Sequence, residues 1–171
     1  MRSGRRERGD GGDGDAVAKR ASRRIVAELT PSSSHVPDGT RKAYRETVFI
    51  VHGTTPIELR IGVQNSALAS LYVETLSDCA AFVTGYNSHS EILSDAANAE
   101  RQATLEGELR QEGWKVLHGV GRHPSGNWPG EPSLLVLGTG IEAAMGLGKR
   151  YEQNAIVWCG TDAVPQLVIL R

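Results

Sequence analysis

Asn98 and Arg101 are the residues whose types and spacing best suit ligand binding. They lie three positions apart in "SDAANAERQATLEGELRQEG", which has the apolar spacing of a helix. Their side chains therefore project from the same face of that helix. Both fall in the first two turns, where free backbone N–H groups and the helix dipole favour an anion. The Arg101 guanidinium adds a planar fork that matches phosphate or carboxylate. The structural alternative is that Arg101 pairs with Glu131 and holds a long loop in place.

That loop is predicted from "GVGRHPSGNWPGEPS", residues 119–133, which lies between two apolar runs. It supplies Arg122, Trp128 and Glu131. The Trp128 ring either stacks on a flat ligand or covers the core beneath the loop. The Glu131 carboxylate is the only group at this place that could act as a general acid or base.

The remaining candidates follow a predicted strand or helix. Tyr86 ends the apolar run "CAAFVTGY" and Asn87 follows it, and Gln153 and Asn154 lie in "EQNA" after a weaker helix. Their polar groups either contact the edge of a ligand or satisfy local backbone groups.

The elements that must position these residues follow the order β-α-β-β-α-β between residues 79 and 160. Period-2 and continuous apolar runs mark the strands, and apolar residues at helical spacing mark the helices. This order predicts an α+β fold with a ferredoxin-like core. An extra hairpin and helix precede the core and one further strand follows it. A three-layer α/β sandwich is the alternative.

The order of elements also predicts where the polar residues meet. In a ferredoxin-like core the connections at residues 86–98, 119–133 and 152–155 lie at one end of the sheet. We therefore expect one ligand-binding cluster there. Its predicted members are Tyr86, Asn87, Asn98, Arg101, Arg122, Trp128, Glu131 and Gln153.

Two other motifs are weaker. Gly138-x-Gly140-x-x-Ala143 is similar to a dinucleotide fingerprint, but only nine residues follow Asp162, too few for the rest of a Rossmann sheet. His118 and His123 have no third ligand at a matching spacing. We therefore predict neither a metal nor another cofactor.

The charge is unevenly distributed along the chain. Residues 1–42 carry ten Lys and Arg against six Asp and Glu, whereas residues 43–171 carry nine against fourteen. We predict a disordered basic arm and linker over 1–42 and a single α+β domain over 43–171. The arm is either a solvated tail or the one part of the chain that contacts nucleic acid.

The compartment is predicted from the cysteines and the hydropathy. Cys79 and Cys159 lie in separate apolar runs and are expected to be buried thiols. No run of 18 apolar residues occurs, so we predict no membrane partner and a cytoplasmic location.

Four stretches together resemble a bacterial family that is known only as a domain of unknown function. They are "TGYNS", Asn98 and Arg101 followed by Leu105 and Leu109, "GVGRHPSGNWPGEPSLLVLG", and "QNAIVW". The resemblance extends over about residues 43–171. The sequence departs from the family at Ser88, where a Pro is usual. The resemblance implies no activity, substrate or catalytic residue.

Three functions follow from these observations. The first is binding of a small anionic or nucleotide-like ligand at the predicted cluster. The second is a protein-interaction module without small-molecule chemistry. The third is an enzyme with Glu131 as general acid or base.

Overall fold

The computed structural model describes residues 28–31, 34–127 and 129–171. Within these ranges the chain forms four α-helices, a 3₁₀ turn at Ser88–Ser90 and eight strands, so the predicted α+β class is confirmed. The elements are β1 (Glu28–Leu29), α1 (Asp38–Glu46), β2 (Val48–Val51), β3 (Ile57–Leu59), α2 (Ser66–Thr75), β4 (Ala80–Val83), α3 (Asp95–Gln111), β5 (Lys115–Arg122), β6 (Glu131–Leu137), α4 (Ile141–Arg150), β7 (Ala155–Cys159) and β8 (Pro165–Ile169).

All eight strands belong to one sheet with the order β1-β8-β7-β4-β6-β5-β2-β3. The short β1 pairs with β8 in parallel, and the other pairs are antiparallel. The sheet curls, because the chain that leaves β3 at one edge hydrogen-bonds to the start of β8 near the other. The Gly62 N–H donates to the Pro165 carbonyl at 2.8 Å, and the Asn65 N–H donates to the Ala163 carbonyl at 3.0 Å. This sheet is larger than the predicted ferredoxin-like core with its few additional strands.

The alternation of side chains along each strand divides the core between the two faces of the sheet. Ala81 and Val83 of β4 pack with α3 and α4 on one face. Ala80 and Phe82 pack with α2 on the other face, where α1 also lies. We call these the α3/α4 face and the α1/α2 face.

Helix α3 forms for the reasons that the sequence indicates. The Ser94 hydroxyl accepts the Ala97 N–H at 3.3 Å and caps the first turn, and Leu105 and Leu109 are buried one turn apart. Gly113 follows the helix with a φ of 82°, which ends it without strain.

Helix α1 was not expected from the sequence. The sequence "PDGT" is typical of a turn, yet Asp38 begins a helix of nine residues. The helix passes through position 43, the predicted boundary between the arm and the domain. The contacts that hold α1 to the rest of the chain include an ion pair of Arg45 with Glu28 of β1 and the Tyr44 hydroxyl, which lies 2.5 Å from the Ser90 Oγ. The predicted disorder of the arm over residues 1–27 lies outside the described residues.

The predicted loop over 119–133 is also shorter than expected, because β5 and β6 extend into it and leave only residues 123–130 between them. Gly119 is part of the strand. A Cβ there would lie 2.5 Å from the Ile50 carbonyl oxygen and 2.7 Å from the Phe82 ring. This glycine permits a close approach rather than a turn.

Over the described ranges no helix is long and apolar enough to cross a membrane.

Candidate functional site

The structure brings the three predicted connections together at one end of the sheet. The Asn87 Nδ2 donates to the Glu131 Oε1 at 2.6 Å, which joins the first connection to the second. The Gln153 Nε2 donates to the Tyr86 carbonyl at 2.9 Å, which joins the third connection to the first. Side chains from three separated parts of the sequence therefore meet within hydrogen-bonding distance.

The buried Asn98 and the half-buried Asn87 form the centre of this cluster. The Asn98 Oδ1 accepts the Asn87 N–H at 2.8 Å, and the Asn98 Nδ2 donates to the Asn87 Oδ1 at 3.0 Å. The Asn87 Oδ1 also accepts the Leu93 N–H at 3.1 Å. Asn98 is only 4% exposed, and Asn87 has a left-handed backbone with a φ of 49°. The two amides thus fix the turn after β4 against the first turns of α3.

Arg101 is bound to neither of the partners that the sequence suggested. Its Nε donates to the Gly85 carbonyl at 3.0 Å, and its terminal nitrogens reach the Tyr151 carbonyl at 2.8 Å and the Glu152 carboxylate at 3.4 Å. The guanidinium also lies 5.9 Å from the centroid of the Tyr151 ring. These contacts join the end of β4 to the end of α4 on the α3/α4 face, and Glu131 takes no part in them.

A cavity of about 440 Å³ opens on the α1/α2 face beside this cluster. It lies between α1 and the strands β2, β4, β5, β6, β7 and β8. Phe49, Phe82 and Leu167 are among its apolar residues, and Asn87 and Glu131 stand among its polar residues. Pockets of this size and composition are typical of small-molecule sites.

Four of the predicted residues do not line this cavity, and one cannot be placed. The residues of the predicted cluster that line it are Asn87, Glu131 and Gln153, and those that do not are Tyr86, Asn98, Arg101 and Arg122. Arg122 instead lines a smaller hollow of about 270 Å³ that also includes Gln102 and Glu106 of α3. Trp128 lies outside the described residues. The ligand-binding role of these eight residues stays a prediction.

Sequence reasoning did not place two further groups of polar side chains that line the cavity. The first comprises Tyr44 of α1 and Ser90, and the Asn154 Nδ2 donates to the Ser90 Oγ at 3.0 Å. The second comprises His123 and Ser125, whose side chains are hydrogen-bonded to each other in the loop between β5 and β6. The first group depends on α1, which the sequence did not predict, and the second carries no motif that marks it.

The glycine motif at Gly138 lies at the other end of β4 from the polar cluster. The Gly138 N–H donates to the carbonyl of Cys79, which precedes β4, whereas Asn87 follows that strand. Cys79 is half-buried and Cys159 is buried, and both are free. Burial raises the pKa of the Cys79 thiol to about 11 and that of Cys159 to about 12, so both stay protonated at neutral pH.

The fold and the cavity define an α+β protein with a small-molecule-sized pocket at one end of its sheet. Residues 83–156 match the family model described as Protein of unknown function (DUF3293). The predicted resemblance to an uncharacterised family is confirmed over this segment, which runs from the end of β4 into β7. No curated protein and no solved structure matches the chain.

Proposed function

We propose that this protein binds a small molecule in the cavity on the α1/α2 face. The observation that carries the proposal is the composition of the cavity wall. Buried aromatic and aliphatic side chains form its interior, while amide, hydroxyl and carboxylate groups gather at the end where the three connections meet. An apolar interior supplies affinity, and a few fixed polar groups supply orientation.

The charge of the wall favours a neutral or cationic ligand with an apolar body. No Lys or Arg is found among the described residues of the wall, whereas the Glu131 carboxylate belongs to it. Glu131 accepts from Asn87 and places a carboxylate in this part of the wall. The anionic or nucleotide-like ligand expected from the sequence depended on Arg101, which is committed to backbone carbonyls and Glu152.

A protein-interaction module is the second candidate. Val73 and Leu76 at the end of α2 are 77% and 94% exposed, which is unusual for large apolar side chains that lie three residues apart. In a protein-interaction module Arg101 is expected to bind Glu131 or backbone groups rather than a ligand. Its hydrogen bonds to the Gly85 and Tyr151 carbonyls agree with that expectation. The cavity favours the first proposal, because an interaction surface does not require an enclosed space.

We also propose that the centre of the sheet is a ferredoxin-like core. Strands β7, β4, β6 and β5 are neighbours in that order and antiparallel, and α3 and α4 pack on the same face. This order and these directions support the ferredoxin-like arrangement. The remaining strands, α1 and α2 then extend this core and build the cavity.

The binding proposal is tested by thermal unfolding of the full chain with hydrophobic amines, neutral aromatic compounds, fatty carboxylates and nucleotides. A ligand at 100 times its Kd stabilises a protein by about 2.7 kcal/mol, which raises the Tm of a chain of this length by about 5–10 °C. We expect such a shift with an amine or a neutral compound. Glu131→Gln should abolish the preference for amines, while the glutamine oxygen can still accept from Asn87.

A substitution series at Gly121 shows whether the ligand occupies the cavity. A Cβ at this strand position would lie 3.6 Å from the Phe49 ring and 3.7 Å from the Thr47 methyl, so a methyl group fits there in ordinary van der Waals contact. Gly121→Val should reduce the ligand-induced shift more than Gly121→Ala, while the Tm without ligand changes little. Equal shifts in both variants and the parent would place the ligand elsewhere. No shift with any class would contradict the proposal and favour the interaction module.

A further inference from the structure

A serine, a histidine and a carboxylate lie in a row beside the cavity. The Ser125 Oγ is 2.7 Å from the His123 Nδ1, and the His123 Nε2 is 3.4 Å from the Glu46 Oε2. His123 and Ser125 line the cavity, and Glu46 is the last residue of α1, whose inner side lines it too. The carboxylate and the other two residues come from distant parts of the chain.

The hydrogen bonds define which ring nitrogen of His123 carries the proton. The Ser125 backbone N–H donates to Nδ1 at 3.2 Å, so in the neutral ring Nδ1 is the acceptor. The proton then lies on Nε2, which faces the Glu46 carboxylate. Nδ1 also lies 2.7 Å from the Ser125 Oγ, and it accepts that hydroxyl proton when its longer bond from the Ser125 N–H is released. The relation is that of a Ser-His-acid triad with the roles of the two ring nitrogens exchanged.

We propose that Ser125, His123 and Glu46 form a nucleophilic triad that hydrolyses carboxylic esters with a small apolar acyl group. The inference rests on the proposed function, because the cavity would hold that acyl group. Its apolar wall includes Phe49, Phe82 and Leu167, and the exposed hydroxyl of Ser125 stands where an ester carbonyl at its edge could reach it.

The reaction proceeds in two steps, acylation of Ser125 and hydrolysis of the acyl-serine. The Ser125 Oγ forms a bond to the ester carbonyl carbon while its proton passes to the His123 Nδ1. The bond from that carbon to the alkoxy oxygen then breaks, and the alcohol leaves with the proton from Nδ1. In the second step water attacks the acyl-serine and gives its proton to Nδ1. The carboxylic acid departs and the proton returns to the Ser125 Oγ.

Two neighbouring groups assist these steps. The Asn127 N–H donates to the Ser125 Oγ at 3.3 Å and orients that hydroxyl beside His123. Glu46 is a positioning residue, because its carboxylate lies 3.4 Å from the His123 Nε2 and favours a positive charge on the ring without contact with the substrate.

The first test is covalent labelling of the full chain with a fluorophosphonate, followed by intact-mass and peptide analysis. We expect one adduct, on Ser125. Ser125→Ala should remove it, and the matched variant Ser70→Ala, on the exposed side of α2, should retain it. In parallel, p-nitrophenyl acetate, butyrate and octanoate are assayed. Ser125→Ala and His123→Gln should each lower kcat/KM at least about 100-fold.

The Glu46→Gln variant tests whether Glu46 positions His123 or only supports the fold. Glutamine keeps the size of the side chain but lacks the charge, so kcat should fall about 10-fold or more while KM and the Tm stay unchanged. The triad is overturned if the parent and folded Ser125→Ala hydrolyse the esters at one rate, or if any adduct forms elsewhere. A ligand-induced Tm shift that persists in that case shows that the cavity binds its ligand and that only the triad fails.

Discussion

The two faces of the sheet use polar side chains in opposite ways. On the α3/α4 face, Asn98 and Arg101 donate hydrogen bonds to backbone carbonyls and to a neighbouring side chain. These bonds hold the ends of β4 and α4 together. On the α1/α2 face, polar groups stand around a cavity of about 440 Å³. The first turns of α3, where the sequence predicted an anion site, thus hold two connections together, and the cavity proposed to bind a small molecule lies on the other face.

The largest difference in stability between the two faces is expected when an asparagine is replaced by alanine. Asn98→Ala removes three hydrogen bonds and leaves the Asn87 N–H and Oδ1 buried with one partner fewer each. Since an unsatisfied buried polar group costs about 1–3 kcal/mol, we expect the free energy of unfolding to fall by about 3 kcal/mol. Urea unfolding monitored by circular dichroism measures the loss.

The matched variant is Asn127→Ala on the cavity side, where the residue is exposed. It should change the free energy of unfolding by less than about 0.5 kcal/mol. If both alanine variants cost the same, the proposed division between supporting and cavity-lining residues fails.

A smaller effect is expected for Arg101→Lys. An ammonium group keeps the charge near Glu152 but cannot reach the Gly85 and Tyr151 carbonyls with the same fork. The expected cost is about 1.5 kcal/mol in urea unfolding. Arg60→Lys, at an exposed pair with Glu58, serves as the control and should cost less than about 0.5 kcal/mol. A ligand-induced Tm shift that disappears only in Arg101→Lys would instead restore the anion-binding role that the sequence suggested.

The sequence predicted the regular elements well, because each carries its own periodicity. The spacing of Leu105 and Leu109 indicates α3, and continuous apolar runs such as "CAAFV" indicate buried strands. The order of elements also indicated that the ends of β4 and α4 meet the start of β6. That prediction required only chain directions, which alternate once the elements are known.

The parts that were missed depend on tertiary contacts. Helix α1 follows "VPDGT", which is typical of a turn, and it is held by contacts such as Tyr44 with Ser90. Without α1 the sequence could not indicate the cavity. The partner of Arg101 was missed because Glu152, two residues after the end of α4, has a left-handed backbone with a φ of 56°, and no sequence pattern indicated that conformation.

The smallest effect concerns an exposed ion pair on the α3/α4 face. Hydrogen bonds from Arg110 and His118 hold the pKa of Glu106 below its ordinary value. A carboxyl group with a lowered pKa in the folded state stabilises the fold above its unfolded-state pKa, and this contribution is lost as the pH falls through the folded-state pKa.

We expect Glu106→Gln to cost about 0.5 kcal/mol at pH 6 and nothing at about pH 3, because surface pairs contribute little. Urea unfolding at the two pH values measures this, with Glu100→Gln on the same helix as the control. A cost that is equal at both pH values would mean that Glu106 supports the fold by packing rather than charge. The polar stabilisation of this face would then come from Asn98 and Arg101 rather than from the Glu106 pair.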